Sequence, residues 1–181
     1  MTGSWSELED LTRVTLRSYV DAVLAVSRIP YGRTSERSGA AVLREGVGTC
    51  STKHVLLRDV VSTAWPAIGV TVWHRLYVVT PETALRHFGV GVASVVPAGG
   101  VRDVHTYATF DLPGDRSGVV VDATFPVDAW DGVSDLELAC GEGPDEPAGD
   151  DVFETKERLV AHWCDPVLRE PFIAALAALQ R

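Results

Sequence analysis

The chain reads as an α+β protein, and three observations predict it. Apolar residues recur at helical spacing through most of residues 5–65. β-branched and aromatic runs occupy residues 68–125 and alternate with period two over 103–112. Helical spacing then returns after an acid-rich stretch. Helices first, strands next and helices last segregate the two kinds of element, which is the α+β pattern and not the alternating α/β one.

The elements follow in order. Residues 5–27 carry leucines, valines and Tyr19 at helical spacing, and Ser4 with Glu7 or Ser6 with Glu9 offers a capping box. Pro30 ends that pattern, and "IPYGRTSERSG" reads as a polar loop. "AAVLREG" predicts a short helix stopped by Gly46. A further helix is expected from Cys50 to just before Pro66. "IGVTVWHRLYVV" predicts a strand, and "TPETALRHFG" a helix capped by Thr80, started by Pro81 and stopped by Gly89. "VGVASVVP" reads as another strand. "DVHTYATFDL" and "GVVVDATF", joined by "PGDRSG", predict an antiparallel hairpin. Residues 131–151 hold eight acids and no Lys or Arg, and are expected to be a surface loop, solvated or acting as a lid. The last 30 residues make one broken helix or two short ones.

At 181 residues the chain is expected to form a single domain with a real core. A net charge of −9 argues against nucleic acid, whose phosphates need clustered Lys and Arg, and against an anionic membrane surface. No apolar run reaches the length of a spanning helix, and the polar, acidic start "MTGSWSELED" is unlike a secretory signal. Cys50, Cys140 and Cys164 are spaced too irregularly for a disulfide framework, so a reduced, cytoplasmic protein is expected.

Three polar positions stand out by context. Cys50 follows "GVGT" at the mouth of a helix, where unpaired amides and the helix dipole favour thiolate and offer donors to an oxyanion. Its plain alternative is a small core residue. His105 lies within a strand pattern that sets it on one face with Tyr107, Thr109 and Asp111. By itself it would be a half-exposed strand histidine. Asp122 interrupts the apolar run "VVVDATF", where a carboxylate needs a partner or caps the next turn. The hairpin can set Asp122 beside His105, which would fix the imidazole tautomer and turn its other nitrogen toward a nucleophile.

In the order Cys50, His105, Asp122, with "GTCS", "VHTY" and "VDAT" around them, the chain resembles the transglutaminase-like branch of the papain-like cysteine enzymes. The stretches "IPYG" and "GTCSTKH" resemble a small bacterial subgroup of that branch, and the likeness spans roughly residues 28–126. It implies a papain-like core in which a nucleophile helix packs on an antiparallel sheet. It also implies Cys50 as nucleophile, His105 as general base and then acid, and Asp122 as the orienting carboxylate. Two positions depart from the family pattern: "His-Thr-Tyr" stands for His-Ala-Trp, with Tyr107 as the aromatic, and "Asp-Ala-Thr" stands for Asp-Pro-Thr.

The chemistry implied is attack on an amide or thioester of a small molecule or peptide, with release to water or to an amine and no cofactor or metal. Tyr31, Arg33 and Ser35 lie upstream as candidates for the oxyanion side chain; Tyr31 is preferred, and Arg33 could instead hold a substrate carboxylate. Lys53 near a thiolate would lower its pKa, and His54, one turn after Cys50, would pack or support the site from behind, or help Lys53 shape the pocket. Two alternatives stand beside this: a non-catalytic binding protein on the same fold, and a zinc protein using Cys50, His54 and His105. The remaining histidines, His74, His87 and His162, show no constellation in the sequence.

Overall fold

The computed structural model describes residues 3–179. Among them the chain forms eight helices and a four-stranded antiparallel sheet, an α+β arrangement.

The first helical pattern is two helices, α1 (Gly3–Thr12) and α2 (Tyr19–Arg28), and not one. Arg13 turns the chain with a positive φ of 59°. The Glu9 carboxylate then accepts the amide of Leu16 at 2.7 Å. Ser18 restarts the helix through a reciprocal capping box with Asp21. Ser6 therefore sits inside α1 and does not cap it, and the side chain of Ser4 lies outside the described residues. Helix α3 (Gly39–Glu45) ends where Gly46 adopts the left-handed conformation, φ 67°. Helix α4 (Cys50–Ala64) follows after four residues.

Strand β1 (Gly69–Val79) and helix α5 (Pro81–Phe88) fall where their local signals put them. "VGVASVVP" does not form a strand; Val90–Ala93 is a single helical turn, α6, beginning directly after Gly89. Strands β2 (Val101–Leu112) and β3 (Arg116–Val121) make the hairpin. The acid-rich stretch contributes a short edge strand, β4 (Asp145–Pro147), held on β1 by a two-pronged Arg75–Asp145 contact at 2.8 and 2.7 Å. Two helices, α7 (Val152–Trp163) and α8 (Pro166–Ala178), close the chain.

The sheet order is β3-β2-β1-β4. The face bearing Ala108, Phe110, Val119 and Val121 packs on α1, α2 and α4 around Leu8, Val26, Leu57 and Val61. The end of the sheet bearing Tyr77, Val79 and Val101 packs with Phe172 and Ile173 of α8 and Ala84 of α5. Truncating a fully buried ring such as Phe110 to Ala removes about 3–5 kcal/mol, so this packing fixes where the strands lie.

One feature of the register opens an edge on β2. β2 runs on past the end of β3: its last partner there is Val121, opposite Ala108. Residues 101–107 of β2 therefore have no partner strand on that side. The segment after β3, beginning at Asp122, and the first turn of α4 stand against this open edge.

Candidate active site

Cys50 is the first residue of α4 and is 6 % exposed. Its neighbours in the motif hold it there, each by a different contact. Thr52 Oγ1 accepts the amide of Thr49 at 2.9 Å, which closes the first turn. Lys53 is fully buried and gives its three N–H bonds to the carbonyls of Ser27 (3.1 Å), Ile29 (2.8 Å) and Thr124 (2.8 Å). Burial pushes its pKa down to about 7 against the pull of Asp122 and Cys50. His54 is equally buried, and its Nδ1 bonds the carbonyl of Cys50 at 2.7 Å. Nδ1 must therefore carry the proton, and Nε2 accepts the amide of Ala123 at 3.0 Å. The ring is neutral, in keeping with a pKa lowered to about 4 by burial.

Lys53 and His54 thus do not line a pocket. They tie the first turn of α4 to the end of α2 and to the segment 122–124. Both nitrogens of His54 are engaged by backbone, so neither faces the sulfur. Among the described residues no group of three or more His, Cys, Asp or Glu is arranged to hold a metal.

Asp122 begins the segment so fixed and is 4 % exposed. Its Oδ2 lies 2.7 Å from His105 Nε2 and also accepts the amide of Ala139 at 2.8 Å; its Oδ1 accepts that of Thr124 at 2.9 Å. Burial alone would raise this carboxyl, but His105 and these donors hold it well below the usual carboxylate range. With Nε2 given to Asp122, Nδ1 is the His105 nitrogen left to act on Cys50, and the imidazole and the thiol each shift the other's ionisation. Burial works against the imidazolium, yet Asp122, and after it Cys140 and Cys50, raise His105 well above its ordinary value.

A second cation meets the sulfur. Lys156 Nζ of α7 stands 2.9 Å from Cys50 Sγ and 2.9 Å from Thr106 Oγ1. Burial of the thiol works against ionisation, but Lys156 and then His105 bring its pKa down to about 6. The expectation that a lysine lowers the pKa of Cys50 has the right physics on the wrong residue: the ammonium in contact with the sulfur is that of Lys156, 106 residues away in sequence. His105 and Thr106 are adjacent on β2 and point to opposite faces, so the sulfur sits at the strand's open edge, reached from both.

A cleft of about 550 Å³ opens beside Cys50, between the loop after α2 and helices α7 and α8. Tyr31, Thr49, Ser51 and Lys156 line its inner end, and Phe153, Val160 and Ile173 give it an apolar wall. Tyr31 is brought there by a bridge to Gly48 and stacks on Phe125 at 5.6 Å. Burial and the nearby sulfur raise its hydroxyl well above the normal tyrosine range. Arg33 also lines the cleft, paired with Glu170 at 2.7 Å, while Arg37 pairs with Glu157 at 2.8 Å. Tyr107 does not reach the cleft; Arg75 stands over its ring at 5.5 Å, with Asp145 beside its hydroxyl. Nor does the acid-rich stretch cover the cleft: none of residues 131–151 lines it. Its contribution is the Ala139 amide, which steadies Asp122 from behind.

Sequence reasoning passed over two site residues. Lys156 belongs to the late "K…H" helix that adds to the resemblance, but nothing local in sequence gives it a role. His74 did give one: it is a polar residue on the buried face of β1, fully enclosed, and it bonds Thr106 Oγ1 at 3.1 Å and the carbonyl of Val152 at 3.0 Å.

Neither a family model, nor a curated protein, nor a solved structure matches this chain. Among the described residues no helix is long and apolar enough to cross a membrane.

Proposed function

We propose that this protein is a cysteine-dependent acyl-transfer enzyme or amidohydrolase on a transglutaminase-like, papain-like core. Its nucleophile is Cys50, its general base and acid His105, and its orienting carboxylate Asp122. The observation that carries the reading is the buried His105–Asp122 pair, 2.7 Å apart, acting with the helix-start sulfur of Cys50, whose ionisation His105 favours.

The chemistry follows from the charges. A thiol lowered to about 6 beside an imidazole raised well above its usual range rests as a thiolate–imidazolium pair at neutral pH. The thiolate adds to the carbonyl carbon of an amide or thioester. The imidazolium gives its proton to the leaving group as the tetrahedral adduct collapses, which leaves a thioester on Cys50. His105, now neutral, takes a proton from water or an amine as that nucleophile attacks. Asp122 keeps the ring in one tautomer and orientation throughout. Water makes the protein a hydrolase and an amine makes it a transferase. A cleft of about 550 Å³ suits a small molecule or a peptide end as acyl donor. The free, mostly buried cysteines suit a reduced, cytoplasmic setting.

The test is covalent trapping with p-nitrophenyl acetate, read by mass spectrometry. One acetyl group is expected, on Cys50, labile to hydroxylamine and absent from Cys50→Ala. His105→Ala should acylate at least about a hundredfold more slowly. Equal acylation of wild type and His105→Ala would sink the assignment.

A further inference from the structure

Lys156 is placed with more care than a surface lysine needs. Its Nζ donates to Thr106 Oγ1 at 2.9 Å. Thr106 is fully buried, and its hydroxyl has one proton to give. The direction of that proton is fixed by His74. The Nε2 of His74 faces the carbonyl of Val152 at 3.0 Å, so Nε2 is protonated and Nδ1 can only accept. Thr106 therefore donates to His74 Nδ1, 3.1 Å away, and presents lone pairs to Lys156. The chain of bonds runs one way: Lys156 to Thr106 to His74 to the first turn of α7, the helix that carries Lys156. Its effect is to pin an ammonium against the Cys50 sulfur, 2.9 Å away. Lys156 also lines the cleft, so it lies on the side from which a substrate would arrive.

We infer that Lys156 is a catalytic residue: it is the cation opposite the thiolate at rest, and it takes the carbonyl oxygen's charge when the sulfur adds. This rests on the acyl-transfer reading of Cys50. During addition the sulfur–carbon bond forms and the carbonyl π pair moves onto oxygen. The negative charge thus leaves the sulfur and appears on an oxygen bonded to the carbon that the sulfur now holds. A donor already at the sulfur, on the cleft side, meets that oxygen with little movement. When the adduct collapses the pair returns, the leaving group departs with the proton of His105, and Lys156 is unchanged. Lys156 acts in this cycle as a donor to the oxygen and not as a nucleophile toward the thioester.

Other ionisable groups also face Cys50 or its partner: Tyr31 from the loop after α2, Lys53 from its own helix, His105 with Asp122 behind it, and Cys140 near His105. The experiment must separate Lys156 from these and separate thiolate supply from oxyanion binding. Two reactions of Cys50 do so. Alkylation by iodoacetamide needs only the thiolate, whereas acylation by p-nitrophenyl acetate also builds an oxyanion. Both are measured from pH 5 to 9 in wild type, Lys156→Met, Lys156→Arg and His105→Ala.

The expected result has two parts. Lys156→Met moves the alkylation midpoint upward by about one unit or more. It also lowers the ratio of acylation to alkylation rate at least about tenfold at every pH, because the ratio cancels the thiolate fraction. Lys156→Arg, which keeps the charge, restores most of both. An unchanged ratio in Lys156→Met, with a normal activated thiol in wild type, would overturn the role of Lys156 and leave the triad standing. An acetyl group found on Lys156 and resistant to hydroxylamine would overturn it as well. A wild-type Cys50 that alkylates like a free thiol, indifferent to His105→Ala, would sink both readings together.

Discussion

His54 accepts the backbone N–H of Ala123 at 3.0 Å, and through that one bond the helix bearing Cys50 is tied to the residue beside Asp122. The same ring holds the carbonyl of Cys50 at 2.7 Å. His54→Ala leaves a buried amide and a cavity, and is expected to lower the unfolding free energy by about 2–4 kcal/mol. Because Asp122 is then less firmly held, the alkylation midpoint of Cys50 should also rise. Urea denaturation and the alkylation profile check the two parts separately. A cost under about 0.5 kcal/mol would contradict the bracing role.

Gly48 owes its place to crowding. A Cβ there would lie 2.7 Å from Lys53 Cγ and 3.1 Å from Val42 Cγ2. The Lys53 stem is anchored by three carbonyls and has no room to retreat. Gly48→Ala is expected to cost about 1–3 kcal/mol in thermal or urea unfolding. Gly91→Ala provides the contrast: nothing lies within 4 Å of its Cβ position, it sits in a helical turn, and it should be neutral or slightly stabilising.

Acid should weaken the protein well above the carboxylate range. His54 and His74 are buried and neutral, each with its pKa lowered from 6.5 to about 4, in both cases chiefly by burial. Between those values the unfolded chain binds the two protons and the folded chain refuses them. Stability therefore falls as pH drops from about 6.5 to 4, with a slope approaching two protons, each worth about 1.4 kcal/mol per pH unit. His105 works the other way at the top of this window, where the unfolded ring is half protonated and the folded one fully so; about a unit lower it is protonated in both states and adds nothing. Unfolding free energies at pH 4.5, 5.5 and 6.5 measure the slope. His74→Gln should remove about one proton from it, and an unchanged slope would show that His74 is not buried neutral.

Ion pairs around the cleft should differ sharply in worth. Arg37 and Glu157 are both well over half exposed, so Arg37→Ala is expected to change stability by less than about 0.5 kcal/mol. Arg169 and Asp103 are only 14 % and 7 % exposed and lie 2.6 Å apart. Arg169→Ala takes the guanidinium from a buried carboxylate that also accepts the Tyr77 hydroxyl at 3.2 Å, and should cost about 3–5 kcal/mol. Equal effects in a thermal melt would contradict the burial argument.

What the sequence discloses and what it hides divide along physical lines. Thr80, Pro81 and Gly89 announce α5 because capping is chemistry between near neighbours. The turn between β2 and β3 and the end of α3 at Gly46 are readable for the same reason. The break at residues 13–18 was not, because the apolar period continues across it. Its one sign was Ser18 with an acid three residues on. "VGVASVVP" misled because β-branched composition says nothing about a helical turn launched by the backbone at Gly89. At the site, Cys50, His105 and Asp122 could be picked out since each breaks a local pattern. Lys53 and His54 were visible, but the direction of a side chain from a helix start depends on what surrounds it. The contact between Lys156 and Cys50 crosses most of the chain, and nothing nearby in sequence records it.

The three carbonyls gripped by Lys53 belong to two segments far apart in the chain, the end of α2 and the residues just past β3. A bond set of this kind cannot be undone a piece at a time. Fraying the first turn of α4 frees Ser27, Ile29 and Thr124 at once, and with them the approach to Asp122. In amide-exchange terms these stretches are expected to open together as one cooperative unit. Local melting of the backbone that carries Cys50 is then not a separate route by which solvent meets its sulfur.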